Sequence, residues 1–270
     1  MSESQKAAAE AVKGLLSLAD GFPFASERDK SAWLAGLLTV AFRRQIRGPV
    51  PMFWIWGEPS TGKTLLANHT ARLCQPKPLC KVSAQFDRRA MDAAVRAQNP
   101  MVLIDNVGKP LKEEVLCSMI TSNEIFVRHL GLDRCVSYAQ NTVFWATGLN
   151  VYAFDELMRR LIPIELAAKA RPSEYEGLTS LDRADRSKLK PLALMLWKKH
   201  KEGVASGTYE DPDSDGWDQR FSSWCWTVRS PLIFAGLPDP VPTLPELHRI
   251  GFAVIDPREA AKILQQSAEE

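Results

Sequence analysis

Gly57-Glu58-Pro59-Ser60-Thr61-Gly62-Lys63-Thr64 fits the phosphate-binding loop pattern G-x-x-x-x-G-K-[ST]. A triphosphate carries dense negative charge, and a loop surrounds it only if its backbone N–H groups point inward. Gly57 and Gly62 permit the dihedrals and the close approach this needs. Lys63 would reach the β- and γ-phosphates, and Thr64 would offer its hydroxyl to Mg²⁺. Such a loop must follow a buried strand and open a helix. Val50 to Trp56 is an apolar run ending at Gly57, and Leu65, Leu66, His69, Thr70 and Leu73 then recur with a helical period. The expected nucleotide contacts therefore run from Gly57 through Glu58, Pro59, Ser60, Thr61, Gly62, Lys63 and Thr64 to Leu65, with a nucleoside triphosphate and Mg²⁺ as the expected ligands.

A chain of 270 residues is long enough for one large domain or two small ones. The net charge of +2 provides no global field for nucleic acid, so any such binding must come from local patches. Five cysteines are scattered without C-x-x-C spacing, and the four histidines complete no ligand set, which predicts reduced thiols in a cytoplasmic protein. The N-terminal stretch has no long apolar core, and no segment approaches membrane-spanning length, so no membrane partner is expected.

Met101-Val-Leu-Ile-Asp105 reads as a buried parallel strand with a carboxylate at its C-terminal tip. Ligands of open α/β sheets bind at that edge, so Asp105 is the candidate partner of Thr64 in holding Mg²⁺. The next residue is Asn106. An amide orients water but cannot take its proton. Either Asn106 positions water, or another acid among Glu58, Glu113 and Glu114 serves, or hydrolysis is slow.

Strand and helix patterns alternate through 50–166. A strand is expected at 79–83, a helix at 87–98, a helix at 110–120, a strand at 142–150, a helix at 155–160 and a strand at 161–166. This argues an α/β fold, a parallel sheet flanked by helices. Ile125 to Tyr138 alternates around Gly131 and predicts a β-hairpin, with Arg128, His129 and Arg134 as a small basic cluster near its tip. Ser26 is the expected cap of a helix carrying Trp33, Leu37, Leu38 and Phe42. Residues beyond 176 read as helical, including a terminal helix at 258–270. The spacing of Trp217, Trp224 and Trp226 fits buried packing better than base stacking.

Taken in order, these residues resemble the AAA+ P-loop NTPases. They look most like the helicase-type module of phage, plasmid and integrative-element replication proteins, often fused to a primase. The marks are Ser31 to Leu38, the loop Gly57–Thr64, Leu103-Ile-Asp105-Asn106-Val107, Leu130-Gly131, Trp145-Ala-Thr-Gly-Leu-Asn150, Asp155 to Arg160, and Trp224 through Asp239. The resemblance implies an N-terminal helical extension at 1–26, an α/β nucleotide-binding core at 27–166, and a helical lid and C-terminal region at 167–270. It implies that Lys63, Asp105 and Asn106 take part in ATP hydrolysis, with Asn150 as the sensor of the γ-phosphate and Thr147 as a lesser candidate. Arg159 or Arg160 would be an arginine finger reaching a neighbouring subunit's nucleotide, and Arg183, Arg186 and Arg229 are open candidates for a second sensor. Arg128, His129 and Arg134 would meet single-stranded DNA in the pore of a homo-oligomeric, hexameric ring. A primase or other replication protein is a further expected partner. The implied activity is an ATP-driven DNA motor, a helicase of a mobile genetic element or phage. The alternative is a nucleotide-switched DNA-binding assembly factor, a helicase loader or transposition regulator, with slow hydrolysis.

Overall fold

The structure is a computed structural model. It describes residues 1–75, 78–83, 88–108, 111, 113–128, 135–151, 153, 155–167, 183–210, 219–243 and 246. Helix α1 (Glu3–Leu16) begins with a reciprocal cap: the Ser2 hydroxyl accepts from the Gln5 N–H at 3.2 Å, and the Gln5 side chain accepts from the Ser2 N–H at 2.8 Å. Its buried Ala8, Ala11, Val12 and Leu15 share one stripe. Helix α2 (Glu27–Ala41) is capped by Ser26, as its sequence predicts, and the buried Asp29 in its first turn accepts from the Glu165 N–H at 2.8 Å.

There follow β1 (Met52–Trp56), α3 (Lys63–Cys74), β2 (Cys80–Ser83), α4 (Arg88–Arg96) and β3 (Met101–Val107). Then come α5 (Glu113–Thr121), β4 (Glu124–Arg128), β5 (Cys135–Ala139), β6 (Val143–Gly148), α6 (Asp155–Met158) and β7 (Leu161–Glu165). Five strands form one parallel sheet in the order β2-β3-β6-β1-β7. Up to their C-terminal ends the inner strands are unbroken apolar runs, as strands covered on both faces are: Met52–Trp56, then residues 101–104 and 143–146. With this strand order, crossovers of the usual right hand place α3 on one face and α4, α5 and α6 on the other. Consistently, α2 packs on α3, and α5 on α6. All five strands end at the same edge, so the segments after β1, β3 and β6 meet there.

Strands β4 and β5 pair antiparallel as the expected hairpin, with Ile125 and Val127 buried and Phe126 exposed. Its tip, with His129, Gly131 and Arg134, lies outside the described residues, as do Trp217, most of the linker after Ala167 and the terminal helix expected at 258–270. Helix α7 (Arg183–Ala205) lies along α1. Ser222–Trp224, a π-helical turn at Cys225–Arg229 and Ser230–Phe234 then run on continuously. Trp224 is fully buried beside Phe53 and donates its indole N–H to Thr39 Oγ1 at 2.7 Å, which makes it core; Trp226 is 42% exposed. Among the described residues no helix is long and apolar enough to cross a membrane.

Candidate nucleotide site

The loop after β1 is built by backbone constraints that the sequence meets with glycine. Gly57 has φ +139°, and a Cβ there would run into the Leu166 carbonyl, because the Leu166 N–H donates to Trp56 O at 3.0 Å. The chain leaving β7 therefore closes against the base of the loop. Ser60 takes φ +63° and Gly62 φ +86°, and α3 starts at Lys63. Its first intrahelical bond runs from the Leu66 N–H to Gly62 O at 2.8 Å. The N–H groups of Lys63, Thr64 and Leu65 therefore face the loop as the donors of a helix N-terminus. The Thr61 hydroxyl donates to Glu58 O at 3.0 Å and braces the turn. Lys63 Nζ donates to Gly57 O at 2.8 Å and to Glu58 O at 2.6 Å, which folds its ammonium over the loop. Burial lowers its pKa, against the pull of Glu58. Glu58, Pro59 and Ser60 are exposed.

Asp105 comes to this loop through a bulge. The register between β3 and β6 pairs Ile104 with Ala146 and then Val107 with Gly148, so Asp105 and Asn106 together oppose Thr147. Asn106 sits at φ +58°, a left-handed conformation that Asn tolerates better than most side chains. Bulges of this kind redirect side chains at functional edges. Here Asp105 Oδ1 accepts the Thr64 hydroxyl at 2.8 Å and the Thr147 hydroxyl at 2.6 Å. Thr147 Oγ1 in turn accepts the Asn106 N–H at 2.9 Å. The other oxygen, Oδ2, meets Lys81 Nζ at 3.3 Å. Burial pushes the Asp105 carboxyl upward in pKa, but the hydroxyls of Thr147 and Thr64 and the charge of Lys81 outweigh it and hold it below its ordinary value. Thr64 and Asp105 thus present adjoining hard oxygen donors, the donor type that Mg²⁺ takes. Lys63 and the first turn of α3 present the positive groups that phosphates take.

Lys81 escaped the sequence reading. Nothing local marks a lysine in a short edge strand. Only the pairing of Ser83 with Asp105 puts Lys81, two residues back on the same face, within reach of the carboxylate. Asn150 lies just past β6 on the exposed tip edge. The paired arginines after α6 diverge. Arg159 is exposed and bridges Glu156 at 2.5 Å. Arg160 is 5% exposed: its guanidinium reaches Glu156 Oε2 at 2.6 Å, the Glu156 carbonyl and Cys117 Sγ, while its own carbonyl accepts the Met52 N–H at 2.9 Å. Of the second-sensor candidates, Arg229 is engaged bidentately by Asp239 (2.9 and 2.5 Å) and Arg186 is exposed. Arg128 ends β4, paired with Cys135.

No protein-family model matches the chain, and no curated protein matches it in sequence. Among solved structures, one titled "SCCmec type IV Cch - active helicase" is similar at a TM-score of 0.46 and 12% identity. The match covers 94% of this chain and 47% of that one, so the chain spans about half the length of that structure. A likeness this distant says nothing of chemistry. The strand–loop–helix and the strand-tip carboxylate of the chain itself are compatible with a P-loop NTPase.

Proposed function

We propose that the chain is an ATPase of the AAA+ class that works as a DNA motor of helicase type. The observation that carries the nucleotide-binding part of this reading is Asp105, held at the mouth of the loop by the hydroxyls of Thr64 and Thr147; the motor part rests on the resemblance of the sequence. In this reading Lys63 and the first turn of α3 bind the phosphates, and Thr64 with Asp105 holds Mg²⁺. When bound, the ion neutralises phosphate charge. Asn106 and Asn150, both at the tip edge, orient water. Arg159 is the better finger for a neighbouring subunit, since its guanidinium is exposed whereas that of Arg160 is turned inward. The β4–β5 hairpin, with Arg128 and the tip residues His129 and Arg134, is the proposed contact with single-stranded DNA inside a homo-oligomeric ring. The work belongs in the cytoplasm, where thiols stay reduced.

The second reading is a nucleotide-switched assembly factor. Asn106 favours it, because the residue following Asp105 is an amide that takes no proton. Steady-state ATP turnover with and without single-stranded DNA, with Lys63→Ala as the blank, separates the two. Turnover raised by DNA and lost in the variant is expected of the motor. Nucleotide binding with negligible turnover under both conditions would sink the motor and leave the switch.

A further inference from the structure

The carboxylate of Asp105 has two oxygens in different situations. Oδ1 already accepts two hydroxyl protons, from Thr64 and Thr147. Oδ2 is the oxygen left for a cation, and in the structure that cation is Lys81. Lys81 stands on β2, the edge strand of the sheet, and its side chain is 42% exposed. An ion pair this open to water is weak, because solvent screens it and two side chains must be ordered to hold it. Lys81 can therefore leave at little cost, since its ammonium regains water as it goes.

We propose that Lys81 is a built-in counter-cation of the metal-site carboxylate, holding Asp105 Oδ2 and yielding it to Mg²⁺ when nucleotide binds. The inference rests on the nucleotide-site reading above. Two cations cannot share one oxygen at close range without repulsion. Lys81 therefore opposes the metal and keeps the carboxylate neutralised and aimed until nucleotide brings further oxygen ligands. By linkage, removing a group that competes with Mg²⁺ enlarges the effect of Mg²⁺ on nucleotide affinity. A lysine that instead assists the metal-bound nucleotide, by touching its phosphates, predicts the opposite sign.

The test is the affinity of a fluorescent ATP analogue, measured once in EDTA and once in excess Mg²⁺. The ratio of the two affinities is compared between the wild-type chain, Lys81→Met and Lys81→Arg. A general loss of attraction for phosphate lowers both affinities and cancels in the ratio. The ratio is expected to grow about two- to fivefold in Lys81→Met, the scale of a half-exposed ion pair, and to stay near wild type in Lys81→Arg. Lys81→Gln, which keeps a polar tip on the edge strand, is expected to move with Lys81→Met and covers the case in which Met perturbs folding. An unchanged or smaller ratio in the Met and Gln variants overturns the proposal while leaving the nucleotide site standing. A wild-type chain that binds the analogue in neither condition overturns the nucleotide reading itself.

Discussion

The two edges of the parallel sheet each hold a charged side chain, buried at one and half-buried at the other, and they use it in different ways. At the edge where the strands begin, Arg43 is 5% exposed and gives its N–H groups to Ile46 O (2.8 Å), Gly48 O (2.9 Å) and Gln140 O (2.6 Å). All three acceptors are backbone carbonyls, and burial without a described carboxylate partner brings the Arg43 pKa down to about 10. At the edge where the strands end, the partners of Asp105 among the described residues are side chains: two hydroxyls and a half-exposed ammonium. Carbonyls of connecting segments cannot re-pair without moving the chain, whereas hydroxyls and a lysine re-pair by rotating. Arg43 therefore closes the fold, and Asp105 is left able to exchange partners.

The largest way to break this contrast is Lys63→Ala. Among the described residues Lys63 bonds two carbonyls of its own loop, so turnover is expected to fall by about two to three orders of magnitude, the loss typical of a preorganised charge at a reacting phosphate. The urea midpoint should stay near wild type. If stability collapses with turnover, the lysine is structural and the contrast fails.

Arg43→Met is the mirror experiment. It strands three carbonyls, two of whose bonds are shorter than 2.9 Å, and is expected to cost about 3 kcal/mol in urea unfolding. Nucleotide affinity should be retained in the folded fraction. A matching loss of affinity would show that the two edges are coupled.

Thr147→Val keeps the shape and removes one hydroxyl that serves both members of the bulge. Asp105 loses a donor and the Asn106 N–H loses its acceptor, so a stability loss of about 1–2 kcal/mol is expected, with a fall in turnover at saturating ATP. Unaltered turnover would mean that the bulge is held by its backbone alone.

The smallest effect is in the pH curve. The folded-state pKa of Asp105 lies below its ordinary value, so its contribution to stability is complete above the unfolded value of about 3.9 and is lost as pH falls through the lower, folded one. Asp105→Asn should flatten that acid limb of the stability curve and lower its level near neutrality, where the contribution of the carboxylate is complete.

How much was legible in advance depends on how far along the chain the information lies. The strand–loop–helix around Gly57–Thr64, the cap at Ser26 and the β4–β5 pair were each readable, and so was the apolar strand that carries Asp105, although it runs on through a bulge to Val107 instead of ending there; each is set by residues within a few positions of one another. Arg159 and Arg160 show the limit. They are the same residue type in adjacent positions, and one faces solvent while the other is buried against Glu156 and Cys117. A helix end turns successive side chains about 100° apart, and which direction is inward depends on what packs there.

By itself the sequence determined a strand, an N–H-lined loop and a helix at Gly57–Thr64, and a carboxylate at the tip of a second apolar strand. Steric freedom at glycine and hydrophobic periodicity act over a few residues, so they can be read along the chain. Only the tertiary structure decided that Thr147 and Lys81 are partners of Asp105, that a bulge turns Asp105 toward Thr64, and that Arg43 closes the opposite edge. Those outcomes depend on the register of β2 and β6 against β3 and on the strand order. Burial of whole strand faces sets both, and no local run of residues encodes them.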